Sequence, residues 1–114
     1  MAFTDVERTQ LEGTLQAYCE RRIPLGVRDQ IRLEYRIRGE TVTLIERRPP
    51  RREPGEWTAS VVAQFRRDPA TRQWRLYCAD RNSRWHLYEE IRPARDLRVL
   101  LSEVDRDPTG IFWG

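Results

Sequence analysis

Between Gln30 and Arg38 the chain alternates without a break: Ile31, Leu33, Tyr35 and Ile37 on one parity, Arg32, Glu34, Arg36 and Arg38 on the other. A period of two sustained over this length specifies an extended strand with one face buried and the other wet. A chain that contains such a strand must supply partner strands, and a layer of apolar side chains to cover the buried side. Gly39-Glu40 follows at once. It suits a two-residue turn with glycine first, and predicts a hairpin in which Ile37 meets Val42 and Tyr35 meets Leu44. The second strand runs to Arg48.

Arg47-Arg48-Pro49-Pro50-Arg51-Arg52-Glu53-Pro54-Gly55 cannot continue the ladder, because proline lacks a donor and forces extended backbone before it. This basic loop leads to Trp57, whose place is open from sequence alone. A third strand carries Val61, Ala63 and Phe65 inward. The turn Asp68-Pro69-Ala70-Thr71 then leads into a second hairpin: Trp74 to Ala79, the loop Asp80-Arg81-Asn82-Ser83, and Arg84 to Tyr88. Pairing across four loop residues sets Cys78 against Trp85, Tyr77 against His86, Leu76 against Leu87 and Arg75 against Tyr88, so that apolar meets apolar. In this register Trp74 and Trp85 are core, while Tyr77, His86 and Tyr88 face out. Phe65 opposes Trp74, Ala63 opposes Leu76 and Val61 opposes Cys78. Asp80 and Asn82 read as builders of the turn.

Helices close both ends. Thr4 and Glu7 form a capping box, and Leu11, Leu15, Tyr18 and Cys19 follow at helical spacing. Gly13 is unfavourable in mid-helix by about 1 kcal/mol relative to alanine, and close packing on the sheet is its expected reason. After Pro93, Leu97, Leu100, Leu101 and Val104 form a second stripe that Asp107-Pro108-Thr109-Gly110 stops. The expected fold is α+β: an N-terminal helix, a five-stranded antiparallel β-meander and a C-terminal helix. Both helices pack on one face of the sheet, in a single domain over residues 1–114.

Charge matters because the uncovered face is basic. All 21 basic residues are arginine, against 18 acids. GC-rich codon usage alone yields such a complement, so its distribution says more than its number. Residues 28–52 hold eight arginines against four acids, and residues 66–88 hold six against two, while the other segments are slightly negative. Positive charge therefore gathers on the strands. Cys19 and Cys78 both fall on apolar stripes and read as buried thiols. With one histidine, ligands for a structural zinc are too few, and no cofactor is expected. No apolar run approaches the roughly 20 residues of a membrane span and the amino terminus lacks a signal-peptide pattern, so a cytoplasmic protein without a membrane partner is expected.

Parity places Arg32, Glu34, Arg36, Arg38, Thr43, Gln64, Arg66, Arg75, Tyr77, Arg84, His86 and Tyr88 on the open face. Guanidinium groups pair with phosphates, and rings accept unstacked bases at about 1–3 kcal/mol each. The candidate binding set for RNA or single-stranded DNA is Arg32, Arg36, Arg75, Tyr77, Arg81, Arg84, His86 and Tyr88, with Arg81 at the loop tip. Three other readings stand beside it. In the first, the arginines pair with Glu34 and its neighbours as a solvated ionic surface. In the second, a ribonuclease-like enzyme uses His86 to move a proton, Tyr77 or Tyr88 to donate, and Arg75 or Arg84 to stabilise developing charge. In the third, Ile111, Phe112 and Trp113 make a homodimer or partner contact instead of packing back on the domain. A binding module is preferred over an enzyme.

Several stretches carry a resemblance: Arg28-Asp29-Gln30 with Arg32 to Tyr35, Glu46-Arg47-Arg48-Pro49, Ala63 with Phe65-Arg66, Ala79-Asp80-Arg81-Asn82 leading to Trp85-His86 and Tyr88, and Asp107 to Trp113. In these the chain resembles a bacterial family of small uncharacterised proteins, the domain-of-unknown-function family numbered three thousand and twenty-four. Cys78 stands where such proteins are expected to carry an aromatic residue. The resemblance covers nearly the whole chain and implies no activity, since none is assigned to the family.

Overall fold

The computed structural model describes residues 3–52 and 55–113. Glu53, Pro54 and Gly114, which the sequence reading placed in the basic loop and at the chain end, lie outside the described residues. The elements run α1 (Asp5–Arg22), a 3-10 turn (Leu25–Val27), β1 (Arg32–Arg38), β2 (Thr41–Arg48), β3 (Thr58–Arg67), β4 (Trp74–Ala79), β5 (Trp85–Leu87) and α2 (Leu97–Arg106). The five strands form one antiparallel sheet in the order β1-β2-β3-β4-β5, the meander expected.

Helix α1 begins as its sequence dictates. The Thr4 hydroxyl accepts from the Glu7 amide at 3.2 Å, and the Glu7 carboxylate accepts from the Thr4 amide at 3.0 Å. Leu11, Leu15 and Tyr18 are buried. Helix α2 is capped by Asp96, which accepts from the Arg98 amide, and it buries Leu97, Leu100, Leu101 and Val104. These side chains join the inner face of the sheet, Leu33, Val42, Leu44, Ala63, Phe65 and Leu76 among them, in one core. Across the helices, the Tyr18 hydroxyl donates to Asp105 at 3.0 Å. Both helices therefore lie on one face. Among the described residues no helix is long and apolar enough to cross a membrane.

The chain end folds back. Asp107 takes a left-handed conformation at φ 43°, and its carboxylate accepts from the amides of Phe112 and Trp113 at 3.0 and 2.9 Å. Phe112 is buried with its ring 5.0 Å from that of Tyr88, and the Trp113 indole donates to the Val104 carbonyl at 2.9 Å.

The first hairpin has the expected register, Ile37 against Val42 and Tyr35 against Leu44, with Gly39 at φ 55°. Elsewhere the structure corrects the sequence reading. A bulge between Leu44 and Ile45 adds a residue to β3, so Val62 takes the buried place expected of Val61. Val61 instead pairs with Ile45 and is 36% exposed. Between β3 and β4 the register is shifted by two, Phe65 opposite Leu76 and Arg67 opposite Trp74. The turn closes on Asp68 and Gln73 rather than on Asp68 and Thr71, with Arg72 at φ 60°. An even shift keeps every side chain on its expected face.

The β4–β5 hairpin is shifted by one. Ala79 pairs with Trp85, Cys78 with His86 and Tyr77 with Leu87, around a loop of one more residue in which Ser83 sits at φ 61°. An odd shift turns the strand over. Trp85 and Leu87 lie on the outer face with Ala79 and Tyr77. His86 shares the side of Cys78, and Tyr88 turns into the core at 5% exposure. Gly13 is corrected too. It is exposed and a methyl there would meet nothing within 4 Å, so sheet packing does not account for it and nothing in the structure does.

Candidate nucleic-acid interface

The alternation that builds β1 sends Arg32, Glu34, Arg36 and Arg38 outward, away from the helices. Pairing then lines up two rows across the sheet. One reads Arg38, Thr41, Arg66, Arg75, and the next Arg36, Thr43, Gln64, Tyr77, Leu87. With strands about 4.8 Å apart and same-face residues about 7 Å apart along each strand, the bases of Arg36, Arg38, Arg66 and Arg75 fall within a patch about 16 Å across.

Polar contacts order the middle of this patch. Gln64 Nε2 donates to Thr43 Oγ1 at 3.0 Å, and Arg66 Nε donates to Gln64 Oε1 at 2.7 Å. The Arg66 guanidinium lies over the Tyr77 ring, 3.9 Å from its centroid. Among the described residues, Arg36, Arg38, Arg66 and Arg75 form no ion pair. Glu34, the acid beside them on β1, is held by Arg47. At the far end Arg32 lies 4.1 Å from the Trp57 ring centroid, which places that tryptophan under a cation. Arg32 is about 13 Å along the strand from Arg36.

The remaining candidates sit elsewhere. Arg81 and Arg84 are exposed in the hairpin loop. Asp80 organises this loop as expected, accepting from the amides of Asn82 and Arg84 at 2.8 and 3.0 Å and meeting His86 Nε2 at 2.8 Å. The His86 bond, then those amides, hold its carboxyl below the usual range. His86 lies on the opposite side of the sheet from Arg75 and Tyr77, the correction that follows from the odd shift. Tyr88 is corrected for the same reason. Its hydroxyl donates to Glu103 at 2.8 Å, and burial first, then that bond, pushes its pKa up to about 12. It offers no surface for stacking. Of the groups named for a ribonuclease-like site, His86 and the buried Tyr88 lie on one side of the sheet, Arg75 and Tyr77 on the other, and Arg84 in the hairpin loop.

Of the candidate set, register unites Arg36, Arg75 and Tyr77, keeps Arg32 on the same face at a distance, and separates the rest. Arg38 and Arg66 were outside that set, although parity put them on the right face. What picks them out is cross-strand register, which the β3–β4 turn conceals. Tyr77 has its ring covered, so a base reaches it only by displacing Arg66.

Among curated proteins nothing matches the chain, and among solved structures nothing does either. The family model described as Domain of unknown function (DUF3024) matches residues 3–114, and the chain belongs to that family.

Proposed function

We propose that the outer sheet face binds the phosphate backbone of single-stranded RNA or DNA. The observation that carries this reading is the cluster of Arg36, Arg38, Arg66 and Arg75, four guanidinium groups on one sheet face with no carboxylate partner among the described residues. By contrast, Arg47 and Arg48 on β2 hold Glu34 and Glu46. A sheet face also suits an unpaired strand, whose phosphates are spaced closely enough to meet neighbouring rows. Tyr77 adds a ring on which one base stacks once Arg66 moves to a phosphate.

Titration of a labelled mixed-sequence single strand at several salt concentrations tests this. Affinity is expected to fall with salt at a log–log slope of about −0.7 per phosphate engaged, and Arg75→Ala or Arg38→Ala should each flatten the slope by roughly that amount. Charge reversal at Arg75 should abolish binding, whereas Arg92→Glu, on an exposed loop residue outside the strands, should leave it nearly unchanged. Absence of salt-dependent binding by the unmodified protein refutes the proposal.

A further inference from the structure

The odd shift of the β4–β5 hairpin leaves an indole on the outer face. Trp85 lies opposite Ala79 and Leu87 opposite Tyr77, so these four side chains stand together beside the row that Arg66 and Arg75 share. Each of the other three tryptophans has a ring face taken. Trp57 lies under Arg32, Trp113 under Arg22, and Trp74 stacks on Phe3 with centroids 5.7 Å apart. Trp85 is half-buried, and among the described residues neither a ring nor a guanidinium lies over it. Leu87, two residues along β5 on the same face, is 47% exposed. An apolar patch thus borders the basic one, and its ring is open where the Tyr77 ring is covered by Arg66.

We infer that Trp85 is a base-stacking residue of the outer face, with Leu87 beside it, and that it makes the face select unpaired, extended strands over duplex. The inference rests on the phosphate-binding reading above and adds where the bases go. Arg38, Arg66 and Arg75 share one row across the sheet, Tyr77 and Leu87 end the next, and Trp85 lies one row beyond. The backbone of Trp85 is about 15 Å from that of Arg75 and about 7–8 Å from that of Tyr77. A nucleic-acid strand that crosses the sheet with its phosphates on the arginine row therefore directs its bases over Tyr77 and Leu87 toward Trp85. Two rings set about 7–8 Å apart are separated by more than twice the ~3.4 Å repeat of a stacked strand, so bases that lie on both are unstacked. A duplex keeps its base faces inside the helix and offers the indole none. A polyanion without flat groups, such as an acidic peptide, uses the arginines and leaves the indole idle.

Titration of the full chain with a mixed-sequence single strand of DNA, with an abasic strand of the same length and phosphate count, and with the duplex tests the inference. The base-bearing strand is expected to bind about tenfold more tightly than the abasic one, and more tightly than the duplex. Trp85→Ala should remove most of that tenfold ratio while leaving the salt slope unchanged, in contrast to Arg75→Ala, and Trp85→Phe should retain it. Leu87 is exposed enough for Leu87→Ser to fold, and this variant should lower the ratio as well. Equal binding of base-bearing and abasic strands, or a ratio unchanged in both Trp85→Ala and Leu87→Ser, overturns the inference and leaves the phosphate-binding reading standing. So does a polyglutamate of equal charge that binds as tightly as the base-bearing strand, since charge alone then accounts for the face. Failure of both single strands to bind overturns the two proposals together.

Discussion

Tyr88 and Glu103 meet at 2.8 Å beneath α2, where Glu103 is 4% exposed and takes a second bond from Arg106. Removing the phenol oxygen strips a buried acceptor of one donor, so Tyr88→Phe should destabilise the fold by roughly 1–3 kcal/mol. Denaturant unfolding followed by tryptophan fluorescence checks this, and binding to the outer face should be unaffected. The same residue marks where sequence reading of single positions gave out. Arg36 and Arg75 were legible as outward because parity survives any even slip of register. Tyr88, His86 and Trp85 were not, because one extra loop residue, carried by the left-handed Ser83, reverses β5. Apolar pairing favoured the shorter loop. The Asp80 carboxylate, gathering two loop amides and His86, favours the longer one, and that geometry has no period in sequence.

At the level of elements, α1 is tied to the sheet through Glu7. Its carboxylate accepts from Arg67 at 2.8 Å, from Arg72 at 2.7 Å and from the Thr4 amide. Arg67 lies on the helix side of β3, bonds Glu40 as well, and rests 4.5 Å from the Phe3 ring centroid. The Arg67 bond first, then the Thr4 amide, lower the Glu7 pKa from its ordinary 4.5 to about 2. A carboxylate with a folded value below its unfolded one contributes stability above the unfolded value, and that contribution is lost as pH falls from 4.5 toward 2. Glu7→Gln should therefore lower the Tm at neutral pH, make the decline between pH 4.5 and 2 shallower, and bring the two proteins together near pH 2. Thermal melts across that range are the measurement. The capping box was plain in the sequence, since Thr4 and Glu7 are neighbours. Its extension to Arg67 and Arg72, some sixty residues away, appears only when the β3–β4 turn closes on Asp68 and Gln73.

For the whole molecule, hydrophobic period alone specified the layer order, because each helix has one stripe and β1 one greasy side. Strand count and order followed from the turns. The outer face was legible in kind but not in membership: β1 named its arginines, while Arg66 and Tyr77 became neighbours only through a register set by turn length. β3, the longest strand, lies between β2 and β4 and carries Arg66 outward next to Arg67 inward. The proposed platform thus rests on backbone locked on both flanks. Amide protons in such a place exchange only when the entire domain opens, so those of Phe65 and Arg67 should be among the slowest in deuterium exchange, and their rates should track global unfolding. A strand arriving at this surface would meet guanidinium stems rooted in rigid ground, with only side-chain rotamers left to adjust.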